Sequence, residues 1–314
     1  MTARGWAAFA AMSVIWGMPY LLIKVAVEDG VPPAFVAWSR LALGAVILLA
    51  LAAHAGLLAT LRGRWRWLAL FAAVEMAIPF PLLAAGEQRV SSSVAAIVIA
   101  TVPLVVALLA MRFDAAERAS GMRLVGLLIG LGGVVALVGI DVAGRTDELV
   151  GVALIVIVVV CYSIGPLVLK HRLADLDPRA QMGGSLAVAT LLLTPAALVA
   201  PPGSAPSADA WLALALLGVL CTALAFVVFN VLISEVGPGR ALVITYINPV
   251  VAVALGVTIL GERPGVGAVA GLLLILAGSW LSTDGRLPPG LTWRRAGTPD
   301  HRPRGVRAAG RLRR

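Results

Sequence analysis

Two ionisable side chains, Arg40 and Glu75, stand deep inside apolar runs. A charge at the centre of hydrocarbon costs about 2.5–3.5 kcal/mol on insertion scales, so it persists only where it is paired, wetted or used. Arg40 follows Pro33 by seven residues and Glu75 follows Arg66 by nine. As helices these offsets place them about 10 and 13 Å in from opposite faces. In a core about 30 Å thick their depths then differ by only about 7 Å, which an Arg side chain largely spans. Both are expected to face a central cavity, where Glu75 either pairs with Arg40 or exchanges a proton during a cycle. The structural alternative is a static ion pair, or a Glu held neutral by its apolar surroundings.

Around these charges lie amides, phenols and indoles that need polar partners when buried: Trp16, Tyr20 and Trp38 early in the chain, and Asn230, Tyr246 and Asn248 late in it. A water-filled cavity supplies such partners, which makes all six candidate substrate-binding residues. Pro103 and Pro249, inside apolar runs, are candidate hinges, because proline removes a backbone hydrogen bond and bends a helix. Trp65 and Trp67 read as interfacial anchors, and Lys24 and Lys170 as side chains that snorkel to the headgroups. Glu87, Gln88 and Arg89 read as a solvated turn. His54, His171 and His301 are scattered, so no catalytic triad or metal site can be assembled from them. Cys161 and Cys221 read as small buried hydrophobes. The sequence therefore points to no catalytic residues, no metal and no cofactor.

The elements that must hold these residues follow from composition. Of 314 residues, 60% are apolar and 13% charged. A soluble domain carries roughly 25% charged residues, so lipid is the solvent for most of this chain. Ten runs of about spanning length appear, near 6–26, 33–53, 66–86, 92–112, 121–140, 149–170, 179–200, 210–233, 239–260 and 264–283. With the N-terminus inside, eleven Lys and Arg fall on the inner side and three, Arg89, Arg145 and Arg263, on outer loops, or four with Lys24 at an outer span end. This asymmetry predicts both termini in the cytoplasm of a cell whose cytoplasmic membrane the chain spans. Nine more basic residues crowd residues 284–314, which read as a disordered cytoplasmic tail able to touch anionic lipid. The net charge of +9 is thus loop and tail charge, and gives no reason to expect nucleic acid.

The chain also aligns with itself at a shift of about 146 residues. Lys24 falls on Lys170, Trp67-Leu68-Ala69-Leu70 on Trp211-Leu212-Ala213-Leu214, and Pro103 on Pro249. Glu117-Arg118, Gly126 and Gly133 fall on Glu262-Arg263, Gly271 and Gly278. Residues 1–140 and 149–283 then form two five-span halves. Five is odd, so the second half enters from the opposite side, and an inverted repeat of this kind permits alternating access. The two charges break the repeat: Leu186 is the mate of Arg40 and Cys221 that of Glu75.

These residues resemble a known family. Trp16-Gly17, Arg40 and the block Pro103 … Glu117-Arg118 … Gly126 … Gly133 are similar to one EamA repeat. Asn248-Pro249-Val250 … Gly261-Glu262-Arg263 … Gly271 … Gly278 is similar to the end of a second. Phe113-Asp114-Ala115-Ala116 departs from the short glycine turn usual before the Glu. The resemblance, to EamA-type transporters of the drug/metabolite transporter superfamily, implies an all-α integral membrane protein of ten helices in two inverted five-helix repeats. It implies a secondary transporter of a small metabolite, an amino acid or similar, with export the expected direction and protons the candidate coupling ion. A lipid flippase or nucleotide-sugar carrier of the same fold is the nearer alternative. A membrane-embedded enzyme or a non-transporting scaffold are the alternatives of another class. Substrate, direction, coupling ion and oligomeric state are not legible.

Overall fold

The computed structural model describes residues 2–113, 122–236, 241 and 243–282. Eight helical segments are long and apolar enough to cross a membrane: α1 (Ala3–Glu28), α2 (Pro33–His54), α3 (Trp65–Glu87), α4 (Ser92–Leu109), α5 (Leu124–Val142), α6 (Thr146–Leu173), α7 (Pro178–Val199) and α8 (Ala208–Val236). Two shorter apolar helices follow, α9 (Ile244–Ile259) and α10 (Val266–Ser282). Each falls where the sequence places an apolar run. The expected tail, Glu117-Arg118 and the departure at 114–116 lie outside the described residues.

Several helices change pitch where their sequences cannot sustain an α-ladder. Pro19 has no N–H to give, and α1 breaks at Trp16–Met18, where Gly17 and Met18 both donate to the Val14 carbonyl. Gly17 sits there for close approach: a Cβ would lie 2.6 Å from Val251 Cγ1 and 3.1 Å from the Asn248 carbonyl oxygen of α9. In α4 the ladder is interrupted at Ala100–Thr101, just before Pro103, whereas α9 continues through Pro249. The two candidate hinges therefore differ in local geometry. Wide π-helical turns occupy Ala73–Ala77 in α3 and Val219–Leu224 in α8. These two segments are related by the same shift of 146.

The helices pair antiparallel. In α1 and α8, Ala3–Ile15 packs on Ala225–Val236 and Pro19–Glu28 on Ala208–Gly218. In α3 and α6, Trp65–Ala72 meets Leu169–Leu173 and Pro79–Glu87 meets Thr146–Val168. The most extensive pairings are α5 with α10 and α2 with α7. Glycine sets the first of these. A Cβ at Gly126 would lie 2.7 Å from the Gly278 carbonyl oxygen, and one at Gly133 would lie 2.8 Å from that of Gly271. Backbone meets backbone, the approach that small residues permit between helices in lipid.

Carboxylates cap helix N-termini, whose free N–H groups need acceptors. Glu262 accepts from the amides of Ser92 and Ser93 at 2.7 and 3.0 Å, at the start of α4. Asp141 accepts from those of Gly267 and Ala268, at the start of α10. Lys24 does the reverse at the end of α3, donating to the carbonyls of Glu87 and Val90 at 2.8 and 3.1 Å. It caps a helix C-terminus rather than snorkelling outward.

Candidate substrate site

The π-turn of α8 builds the setting of Arg40. In that turn the Thr222 hydroxyl donates to the Leu217 carbonyl, five residues back, at 2.8 Å. Its lone pairs then accept from Arg40 Nε, also at 2.8 Å. The guanidinium carbon lies 4.3 Å from the centroid of the Phe80 ring of α3, a cation–π stack that pins the plane. Gly44, one turn further along α2, leaves room for this contact, since a Cβ there would meet Thr222 Cγ2 at 2.7 Å. The two terminal nitrogens of Arg40 have no hydrogen-bond partner among the described residues, and the side chain is half-buried. A guanidinium held by Nε and by its face, with its outer edge unused, is arranged to receive a carboxylate on that edge.

The mate π-turn, in α3, carries Glu75. Its carboxylate lies against Gly165 of α6, where a Cβ would lie 2.9 Å from Glu75 Cδ. One oxygen, Oε2, is buried without a hydrogen-bond partner. Arg40 and Glu75 do not form an ion pair. Arg40 turns toward α8 and Phe80, and Glu75 toward α6, so similar depth does not become contact. Tyr162 of α6 lies within electrostatic reach of both.

Trp16, at the break in α1, packs on Phe229 and Phe226 of α8, with ring centroids 4.7 and 6.1 Å apart. Asn230 is half-buried, its amide donating to the Phe226 carbonyl one turn back at 2.9 Å and its oxygen without a described partner. Tyr20 is buried, within electrostatic reach of Arg40. Tyr246 donates to the Ser279 carbonyl of α10 at 3.3 Å. Two other candidates sit elsewhere. Trp38 precedes Arg40 by two residues, about 200° around the helix. It faces α7, donating to Thr194 at 3.1 Å. Asn248 is buried and, with its nitrogen as donor, ties α9 to the Ser13 carbonyl of α1 at 3.2 Å and to Ile244 at 3.0 Å. It is occupied as a structural link.

Thr222, Phe80, Tyr162 and Phe226 were not among the sequence candidates. The π-turn that carries Thr222 leaves no mark in hydropathy, although Thr222 adjoins Cys221, the repeat mate of Glu75. Glu87 differs from its sequence reading as a solvated turn. It is fully buried, with neither carboxylate oxygen hydrogen-bonded. The break after α3 comes a residue later than the charges suggest, and the side chain turns inward under Lys24.

A bundle of long apolar helices defines an integral, multi-pass membrane protein. The chain belongs to the EamA-like transporter family, whose model matches residues 3–139 and again 149–283. It is 30% identical to the "Uncharacterized inner membrane transporter YedA" of Escherichia coli K12, over 81% of this chain and 82% of that one. It is also 30% identical to the "Probable terminal-alkyne amino-acid exporter" of Streptantibioticus cattleyicolor, over 85% of this chain and 89% of the relative. The "Uncharacterized transporter YoaV" of Bacillus subtilis shares 22% identity over 87% of this chain and 94% of its own. One solved crystal structure shares the fold at a TM-score of 0.65 and 20% identity, covering 90% of this chain and 98% of that one. The chain is thus a transporter of this family and a multi-pass protein of the inner membrane.

Proposed function

We propose that this transporter exports a small carboxylate-bearing metabolite, an amino acid or similar, by alternating access of two inverted five-helix halves. The observation that carries this reading is Arg40, fixed by Thr222 and Phe80 with its terminal nitrogens unused. In this reading the substrate carboxylate takes that edge, and Trp16, Phe226 and Tyr162 pack its apolar part. Glu75 faces the substrate amino group or carries the coupling proton. The antiparallel pairing of α2 with α7 and of α5 with α10, which are repeat mates, supports the inverted architecture. The loop charges support termini in the cytoplasm. The named amino-acid exporter among the relatives supports the substrate class and direction.

A lipid or nucleotide-sugar substrate is less well served. Its phosphates call for several cations, and Arg40 is the one Lys or Arg in the middle of a described span. The test is flux from proteoliposomes loaded with mixed amino acids. Efflux of every amino acid at rates equal to protein-free vesicles would overturn the proposal. Amino-acid efflux that persists unchanged in Arg40→Gln would remove Arg40 from it.

A further inference from the structure

At one end of the bundle, the start of α3 and the end of α6 line an open cavity of about 460 Å³. It is lined by Arg64, Arg66, Trp67, Lys170, His171 and Arg172, with Asp175 the one carboxylate. Asp175 is used by Arg64, which also donates to the Arg172 carbonyl at 3.2 Å. Arg66, Lys170 and Arg172 have no carboxylate partner among the described residues. Two guanidinium groups instead flank one indole: Arg172 lies 4.4 Å and Arg66 5.0 Å from the Trp67 ring.

Two ordinary causes explain part of this cluster. Cations at the end of α6 complement its helix dipole, and basic residues on this face fit the loop-charge asymmetry. The asymmetry covers Arg64 and Arg66 as well, although they stand at the start of α3, where the dipole disfavours cations. Neither cause accounts for convergence on one cavity. The repeat does not account for it either: Trp67 recurs as Trp211, but Arg64 and Arg66 are replaced by Ala208 and Ala210, and His171-Arg172 by Val25-Ala26. The shared scaffold and one lysine, Lys170 with its mate Lys24, are present at both ends, and the arginines at one.

The cavity also lies at a definite depth. Trp65, beside it, is 71% exposed, and the apolar segments of α3 and α6 begin and end at its rim. This is the headgroup level of a bilayer, where tryptophan concentrates. We propose that the cavity is a binding site for the phosphate of an anionic phospholipid headgroup. Arg66, Lys170 and Arg172 bind the phosphate, and Trp67 holds the two guanidinium groups apart. Because the ligand bridges α3 and α6, one from each half, its occupancy holds the halves together at this end. A free phosphate compound shares the chemistry but would not draw on the neighbouring acyl-chain surface.

The test uses the full-length protein in neutral detergent, with phosphatidylglycerol, phosphatidylcholine or inorganic phosphate added, and native mass spectrometry to count bound lipid. Expected is at least tenfold preferential retention of phosphatidylglycerol over phosphatidylcholine, reduced to under threefold in Arg66→Gln/Arg172→Gln. Arg179→Gln, which removes a nearby cation paired with Asp177 outside the cavity, should keep the preference. Equal retention of the two lipids would overturn the proposal, as would a preference that survives the double substitution or is lost equally in Arg179→Gln. Displacement of phosphatidylglycerol by millimolar inorganic phosphate would reassign the site to a soluble anion. Should the double variant not fold, the wild-type protein decides: the preference must fall as NaCl rises from 50 to 500 mM, and a salt-independent preference contradicts a phosphate–cation contact.

Discussion

Arg40 is held by two contacts that lysine cannot reproduce. An ammonium has neither an Nε–H placed to meet Thr222 nor a flat face for Phe80. Arg40→Lys should therefore lower apparent substrate affinity about as much as Arg40→Gln, at least tenfold. A charge-assisted hydrogen bond contributes about 1.5–3 kcal/mol, and proteoliposome flux against substrate concentration reads the loss. Thr222→Val should give a smaller loss in the same assay, because Phe80 still stacks the guanidinium. The carboxylates of half-buried Glu75 and fully buried Glu87 should separate. Glu75→Gln is expected to abolish the dependence of flux on an imposed pH gradient, and unchanged rate and pH dependence would exclude a coupling role. Glu87→Gln removes a carboxyl with no hydrogen-bond partner from the interior. It should leave the melting temperature unchanged or raise it, since an unpaired buried charge is costly. Of these residues, Arg40 and Glu75 were legible because charge inside an apolar run is conspicuous. Thr222 and Phe80 were not, since a threonine or phenylalanine in such a run is ordinary.

At the scale of the element, the glycines decide how closely helices meet. Gly278 packs against the backbone of Gly126 and Gly130. A methyl there has nowhere to go unless α5 and α10 separate, and overpacking of this kind costs about 1–3 kcal/mol. Gly278→Ala should lower the melting temperature in detergent, whereas Gly132→Ala, where a Cβ meets open space, should not. Helix positions were readable from apolar runs, whereas the glycines that set the tight α5–α10 pairing marked only the repeat. Kinks were readable only in part. Pro19 breaks α1 and the chain yields just before Pro103, but α9 carries Pro249 without interruption. Proline removes one hydrogen bond in each case, and neighbouring contacts decide whether the ladder parts. The π-turns could not be read, because they depend on which carbonyl a side chain such as Thr222 takes up.

At the scale of the molecule, α2 packs on α7, α5 on α10, α1 on α8 and α3 on α6, the pattern that the proposed inverted repeat calls for. Five proposed spans per half and the excess of basic residues on inner loops predict both termini in the cytoplasm. Single cysteines at Thr60 and Gly203 should be labelled by an impermeant thiol reagent from opposite sides of the membrane, Thr60→Cys only from the cytoplasm. In the proposed architecture scaffold symmetry and site asymmetry belong together: α2 pairs with its mate α7 and α5 with its mate α10, while Arg40 has Leu186 as its mate and Glu75 has Cys221. A carboxylate solute needs one cation at one end, which a symmetric site would not supply. The most direct measurement of this claim is efflux of amino acids from proteoliposomes carrying wild-type protein or Arg40→Gln. Expected is saturable efflux of at least one amino acid by the wild type, reduced at least tenfold in the variant while its melting temperature is kept. Equal efflux by a stable Arg40→Gln protein would contradict it.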